Sequence, residues 1–238
     1  PPTEEGRMTE SRSTWRAGRR SKVRRLPERG AYDRETIEAI LDEGFVCHLG
    51  FCTDEGPVVL PTAYARVGDV LYVHGAPANH ALRTVGSGKP VCLVVTLLDG
   101  LVFARSSFHH SINYRSVVVY GTAHEVRDPV EKRAALEAVV EQIAPGRRAD
   151  ARGPNDAELR ATRVVRVSVD GISAKVRAGG PKDDAEDIEA GGIWAGHLPL
   201  AIVPGVAVPD PHDGEKLPVP DYVTHYRRGP AEGSTAHR

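Results

Sequence analysis

The string FHHSINYRSVVVYG, between Phe108 and Gly121, contains a cluster of polar residues. The cluster consists of two adjacent histidines, an asparagine, a tyrosine, an arginine and two serines. The β-branched run that begins at Val117 predicts a strand bounded by Gly121, so the polar cluster precedes the entry of that strand into a sheet. A core strand has no structural need for so many hydrogen-bonding groups at one end. We therefore interpret the cluster as one wall of a ligand site, in which Arg115 and Ser116 serve as oxyanion donors to a phosphate-bearing ligand.

Histidines in this sequence are the candidates for proton transfer near neutral pH. His109 and His110 qualify because a neutral imidazole can donate a hydrogen bond to a ligand carbonyl or shuttle a substrate proton. Adjacent strand residues point to opposite faces, so we expect only one of the pair to reach a given pocket. His74 ends an apolar strand before Gly75, where a bare backbone permits close approach of a planar ligand, and a structural histidine is the alternative.

Several cationic and aromatic residues are further candidates for ligand contacts. Arg115, beside Tyr114, is either a phosphate or ring contact or a rim residue paired with an acidic side chain. Lys175 and Arg177 share one strand face and present either a positive edge to a ligand or a solvated surface. Trp194 either caps a pocket or packs on the end of the fold.

Helical spacing is clear in a few segments. Asp33 is predicted to cap a short helix that ends at Gly44. Residues 129–143 carry a broad apolar face and form the best-defined predicted helix, with a proline at its first turn. Residues 79–85 and 158–162 are predicted to form shorter helical turns.

The rest of the chain has strand periodicity. The strings FVCHLGFCT, PVVLPTAYAR and VLYVHG predict three strands joined by turns at residues 54–56 and 68–69. PVCLVVTLL predicts a strand buried on both faces, and LVFARSSF and SVVVYGTAHEV predict two more. TRVVRVSVDGISAKVRAG restores strand alternation after the helices. Six locally linked strands favour a mainly β fold, an antiparallel barrel with peripheral helices.

Composition restricts the class of protein. The 31 basic and 32 acidic residues nearly cancel, which argues against a nucleic-acid partner. No apolar run reaches the length of a membrane span, and the basic N-terminal region lacks the apolar segment of a secretory signal. Three cysteines without metal-ligand spacing suggest reduced thiols, and hence a cytoplasmic protein without a metal site. We expect a flexible basic arm at 1–30, a barrel domain at 31–200 and a Pro/Gly-rich tail at 201–238.

Four strings in order resemble the FMN-binding split-barrel superfamily of pyridoxamine 5′-phosphate oxidase-like proteins, especially its flavin-nucleotide-binding and nitroimidazole-reductase (Nim-like) branch. They are FVCHLGF, VVLPTAYAR with VLYVHG, SINYRSVVVYGTAHEV, and SAKVRAGGP followed by acids and WAG. The resemblance covers roughly residues 20–200. It implies a six-stranded antiparallel split β-barrel that forms a homodimer, with two FMN molecules at the subunit interface.

The resemblance also implies a set of flavin contacts. Residues along the isoalloxazine edge are Pro61, Thr62, Ala63 and Tyr64, and those at the strand end facing the ring are His74, Gly75 and Ala76. Where the oxidase has an Arg-Lys pair for the phosphate, this chain departs from the pattern, and Asn79, His80 and Arg83 are expected to replace the pair, assisted by Arg115 and Ser116. Tyr114, Val117, Lys175 and Trp194 complete the predicted cofactor site.

These observations lead to an expected function and its alternatives. The first is an FMN-dependent oxidoreductase acting on a small organic substrate, with His74 and one of His109 or His110 nearest the reacting atoms. The alternative is a flavin- or haem-binding barrel without turnover, because an axial iron ligand needs only one imidazole over a wide apolar pocket. The third is an interaction protein that has lost its cofactor.

Overall fold

The computed structural model describes residues 14–15, 18–212 and 217–228. Residues 1–13 and 16–17 of the predicted arm, and 213–216 and 229–238 of the predicted tail, lie outside this description. Within the described ranges, no helix has both the length and the apolar character needed to cross a membrane.

Strands account for most of the regular structure. Their bounds are β1 Gly30–Ala31, β2 Val46–Thr53, β3 Gly56–Val67, β4 Val70–Gly75, β5 Ser87–Phe103, β6 Ser111–Glu125, β7 Arg163–Arg177 and β8 Gly196–Pro199. The helices are α1 Arg34–Glu43, α2 His80–Val85, α3 Pro129–Ile143, α4 Arg147–Asp150, α5 Asp156–Arg160, α6 Ala185–Ala190 and α7 Asp221–Thr224, and a 3₁₀ turn covers Pro27–Arg29.

Six strands form a closed ring. Hydrogen-bonded neighbours follow the order β7, β4, β3, β2, β5, β6, and β6 pairs in turn with β7. The pairs β2–β3, β3–β4 and β4–β7 are antiparallel. The short strands β1 and β8 extend β7 and β5. The predicted mainly β, antiparallel barrel with peripheral helices is confirmed.

Helix ends follow the capping rules. The Asp33 side chain accepts a hydrogen bond from the backbone N–H of Thr36 at 2.8 Å, and α1 ends before Gly44, as predicted. Asp128 caps α3 in the same way, with Pro129 at the first helical position. Local sequence therefore determined where these helices begin.

The expected division of residues 90–108 into two strands is wrong. Asp99 and Gly100 do not form a turn, and β5 continues through them as one strand of 17 residues. Gly100 pairs with Pro199 of β8, and a Cβ atom at Gly100 would lie 2.8 Å from the carbonyl oxygen of Leu198. The glycine thus admits a close neighbouring strand, and residues 104–110 form a loop.

The expectation that PVCLVVTLL is buried on both faces is also wrong. Val91, Leu93 and Val95 are at most 5% exposed, whereas Leu98 on the opposite face is 49% exposed. An antiparallel sheet needs cover on one side only, so alternate residues of β5 remain open in the single chain.

The chain divides into two compact units, each with its own core. The first comprises the described residues up to Gly44, with Leu93–Tyr120 and Asp170–Ala201, and it buries Ile37, Ile40 and Leu41 of α1. The second comprises Phe45–Cys92, Gly121–Val169 and the described residues from Ile202 onward. Its core includes a cluster of Tyr72, Val126, Ala135 and Val164.

Candidate functional sites

The two adjacent histidines lie in the loop that precedes β6. Nε2 of His109 donates to a carboxylate oxygen of Asp184 at 3.2 Å, and Nδ1 of His110 donates to the carbonyl oxygen of Ser106 at 2.9 Å. The expectation that they occupy opposite faces of a strand is therefore wrong, because β6 begins only at Ser111. Both rings already have protein partners.

Arg115 is held between two carboxylates. Its guanidinium donates to Glu43, at the end of α1, at 2.5 and 2.9 Å, and to Asp99 of β5 at 2.8 and 3.0 Å. Hydrogen bonds to Asp99 and then to Glu43 raise the pKa of Arg115 above its usual range. Of the two roles expected from the sequence, the structure shows the ion-paired one.

The remaining candidates around β6 make contacts within the chain or are buried in the core. The Ser116 hydroxyl donates to the carbonyl oxygen of Lys175 at 3.4 Å, and Nζ of Lys175 donates to the carbonyl oxygen of Arg25 at 3.2 Å. Tyr114 is half-buried and Val117 is buried in the core. Trp194 is 71% exposed, and its ring centroid lies 5.9 Å from that of Phe103.

The predicted isoalloxazine edge lies on neighbouring strands of the second unit. Along β3, exposure falls from Pro61, which is exposed, through Thr62 and Ala63 to the fully buried Tyr64. Tyr64 pairs with Val73, the residue before His74 on β4. The structure therefore places Tyr64, of the β3 candidates, directly opposite the neighbour of His74.

The predicted phosphate contacts make local hydrogen bonds in the structure. The Asn79 side chain accepts from the backbone N–H of Leu82 at 3.1 Å and so caps α2, and Arg83 donates to Nδ1 of His80 at 3.3 Å. A Cβ atom at Gly75 would lie 2.8 Å from Leu82, so the bare backbone accommodates a core leucine. Ala76, the next residue, is exposed.

His74 lines a cavity of about 610 Å³ in the second unit. Its volume is that of a cofactor or drug-sized ligand pocket. The apolar part of the wall comes from α3, through Leu136, Val139, Val140 and Ile143. Two ion pairs, Arg148 with Glu137 at 2.8 Å and Arg152 with Glu158 at 2.5 Å, belong to the same wall.

One nitrogen of the His74 ring lacks a hydrogen-bond partner among the described residues. Its Nδ1 atom is enclosed, and no side chain or backbone group in the described part of the chain makes a hydrogen bond to it. Burial lowers the pKa of His74, so the imidazole is neutral near pH 7. A neutral imidazole beside a partly apolar cavity has the chemistry of a metal ligand. The sequence indicated the residue, but the wall supplied by a helix more than 60 positions later carries no local signal.

Comparison with known proteins gives an independent indication of the family of this chain. The family model described as pyridoxamine 5′-phosphate oxidase matches residues 33–176. No curated protein sequence matches the chain.

Solved structures similar to this chain include two that cover most of it. The flavocytochrome Anf3 from Azotobacter vinelandii is 36% identical, with a TM-score of 0.81 over 89% of this chain and 98% of that one. The FAD and haem binding protein from Mycobacterium smegmatis is 35% identical, with a TM-score of 0.78 over 82% of this chain and 96% of that one.

A third structure is less similar. It comes from Bacteroides thetaiotaomicron VPI-5482 and is provisionally named a 5-nitroimidazole antibiotic resistance protein. It is 26% identical, with a TM-score of 0.52 over 62% of this chain and 86% of that one. Together with the family model and the barrel, these similarities confirm the resemblance found in the sequence: the chain belongs to the pyridoxamine 5′-phosphate oxidase family of split-barrel proteins.

Proposed function

We propose that this chain is a flavin-binding redox protein that also binds haem, with His74 as the iron ligand. The observation that carries the proposal is the His74 imidazole, whose Nδ1 atom has no hydrogen-bond partner among the described residues, in the partly apolar wall of a cavity of about 610 Å³. A haem needs one accessible imidazole and a wide apolar pocket. Two proteins at least 35% identical to this chain are named for haem or cytochrome character, which supports the same assignment.

The residues around His74 fit such a group. Leu136, Val139 and Val140 offer an apolar surface for a macrocycle, and Arg148 and Arg152 offer cations for its carboxylates. Both arginines are exposed and paired with glutamates, so they could exchange partners at little cost. Burial lowers the pKa of His74, which favours the neutral ring, and a neutral imidazole has one nitrogen lone pair for iron.

For the flavin, the support comes from family membership and from the β3 residues beside His74. Thr62 and Ala63 are partly exposed on that strand and can line a ring. Flavin and haem, when bound, supply two-electron and one-electron chemistry, and the protein's part is to position and shield them. The name of the Mycobacterium smegmatis protein favours FAD over FMN as the flavin.

The test is the absorption spectrum of the purified chain, followed by mass analysis of what it releases on denaturation. We expect both flavin bands and a Soret band, with FAD and haem as the released molecules. A spectrum that lacks the Soret band in protein expressed with ample haem would contradict the haem assignment. Released FMN would restore the cofactor expected from the sequence.

Turnover of a small organic substrate is the second candidate, and one observation favours it. His74 borders the cavity and also follows Val73, the partner of Tyr64 on the predicted flavin strand. A substrate in the cavity would then lie near a flavin. An enzyme of this kind should show flavin bands alone in its spectrum. A nitro compound or a quinone should reoxidise its reduced flavin at a rate that saturates with the concentration of that compound.

A further inference from the structure

Arg177, the last residue of β7, is a buried cation without a carboxylate partner among the described residues. It is 6% exposed. Its guanidinium donates to the amide oxygen of Asn113 and to the carbonyl oxygens of Gly179 and Gly180, at 3.3 and 3.4 Å for the last two. Its Nε atom has no partner within the described part of the chain.

Other arginines in the protein differ in this respect. Arg105 and Arg166 also leave Nε unpartnered, but each forms an ion pair, with Asp183 at 2.7 Å and with Glu131 at 3.5 Å. A charge taken out of water is costly unless an opposite charge and hydrogen bonds compensate it. The oxygens that accept hydrogen bonds from Arg177 are all neutral, so no carboxylate directly compensates its charge.

A small cavity adjoins this guanidinium. It measures about 190 Å³ and is lined by Arg177, Arg29, Lys182, Glu28 and Gly180, with Val176 and Ala178 completing the wall. A Cβ atom at Gly180 or at Gly179 would meet nothing within 4 Å, so the turn after β7 leaves open space. Burial, and after it the nearby charge of Arg29, lowers the pKa of Arg177.

Charge and size together select the ligand. Three cations and the single carboxylate of Glu28 give the wall a net charge of about +2, which matches a phosphate monoester at neutral pH. The cavity is smaller than a whole cofactor requires but suits one anionic group. Guanidinium groups bind the oxygens of phosphate through paired hydrogen bonds.

We propose that Arg177, Arg29 and Lys182 form a binding site for a phosphate group. The phosphate belongs either to the flavin nucleotide, in which case the proposal rests on the proposed function, or to a separate phosphorylated molecule. The site gives a role to Arg29, in the 3₁₀ turn Pro27–Arg29 of the basic N-terminal region. It also replaces the expected phosphate contacts at Asn79, His80 and Arg83.

The test measures the affinity of the full-length chain, freed of bound flavin, for inorganic phosphate, riboflavin, FMN and FAD. Arg29→Gln and Lys182→Gln each remove one surface cation, and we expect each to weaken binding of a phosphate-bearing ligand about tenfold. Glu28→Gln removes the one carboxylate and should tighten it, a gain that a purely structural role would not produce. Arg127→Gln, an exposed arginine of the second unit, is the matched control and should change nothing.

The ligands distinguish the two sources of phosphate. If FMN and FAD bind more weakly to the variants while riboflavin does not, the site holds the flavin's own phosphate. If only inorganic phosphate binds more weakly, the site holds a separate ligand. Affinities for inorganic phosphate, FMN and FAD that are unchanged in the Arg29 and Lys182 variants would overturn the proposal. A chain that binds phosphate through these residues but binds no flavin would refute the proposed function and leave this site standing.

Discussion

At the scale of single residues, His74 combines burial, neutrality and an unsatisfied ring nitrogen. An unpaired buried polar atom costs a folded protein about 1–3 kcal/mol. Such a cost in a cavity wall is typical of a group that serves a ligand.

The lowered pKa of His74 predicts how stability depends on pH. Because the folded chain binds this proton more weakly than the unfolded chain, with its pKa of about 6.5, acid favours unfolding. The free energy of unfolding of the ligand-free chain should therefore fall as pH drops below about 6.5, by at most about 1.4 kcal/mol per pH unit from this one group. Urea titrations at several pH values should show that the free energy of unfolding depends less steeply on pH in His74→Gln than in the wild type. Parallel pH profiles for the two proteins would show that His74 is not the source of this dependence.

Arg115 has a structural role, and its replacement separates stability from binding. Arg115→Met leaves Glu43 and Asp99 facing each other without their shared cation, which should cost about 1–3 kcal/mol of stability. The flavin affinity of the folded variant should stay within about twofold, because the guanidinium is engaged by carboxylates. Denaturant melts of the two single variants and of the double variant with Asp99→Asn form a double-mutant cycle, which gives the coupling free energy between Arg115 and Asp99. Loss of flavin at unchanged stability would instead favour the ligand-contact role.

Residue chemistry could be predicted from the sequence only where it is local. Asp33 caps a helix within its own segment, as expected. Asn79 also caps a helix. The resemblance led us to expect a phosphate contact there, because helix capping and phosphate binding use the same polar residue types. The bond between Arg177 and Asn113 joins positions 64 apart, and no spacing rule reveals it.

At the scale of elements, the closing pair of the ring depends on a close backbone approach. Gly121 was expected to bound a strand, but it lies inside β6. A Cβ atom there would overlap the carbonyl oxygen of Ser168 on β7. Glycine at this position therefore permits β6 and β7 to pair closely, which is a tertiary requirement that a turn signal resembles.

Gly121→Ala should consequently destabilise the chain, by about 1–3 kcal/mol, since the added methyl group meets backbone that cannot rotate away. Gly205→Ala is the control, because a Cβ atom at Gly205 would meet nothing within 4 Å. Thermal or urea unfolding of both variants measures the difference. Equal stability of the two would mean that β6 and β7 are not packed as described.

At the scale of the whole molecule, several apolar residues near the C-terminal end of the described chain are exposed. Val206 and Val208 are 95% and 91% exposed, and Val203 is 80% exposed. Exposed apolar runs of this kind are typical of surfaces that associate. We propose the homodimer that the family resemblance implies, because closed twofold assemblies are the commonest outcome for such surfaces.

Light scattering coupled to size-exclusion chromatography should give twice the mass of 25.7 kDa for the purified chain. Val206→Asp together with Val208→Asp should shift the chain toward monomer, because each buries a charge at the interface. Asp210→Asn, on the same segment, serves as the control and should leave the mass unchanged. A wild-type monomer at micromolar concentration would contradict the assembly.

The barrel could be predicted because neighbouring strands follow one another in sequence, as β2, β3 and β4 do. Ring closure between β6 and β7 and the pairing of β8 with β5 join distant segments, so local patterns do not determine them. The cavity was likewise unpredictable, since α3 and β4 meet there only in the folded chain.

The most direct test of the central claim is the Soret band of His74→Gly protein beside that of the wild type. We predict that the variant loses the band and that added imidazole restores it, while His212→Ala, whose side chain is 89% exposed, keeps it unchanged. A Soret band of undiminished intensity and position in folded His74→Gly protein would contradict the account, because iron would then be held by another residue.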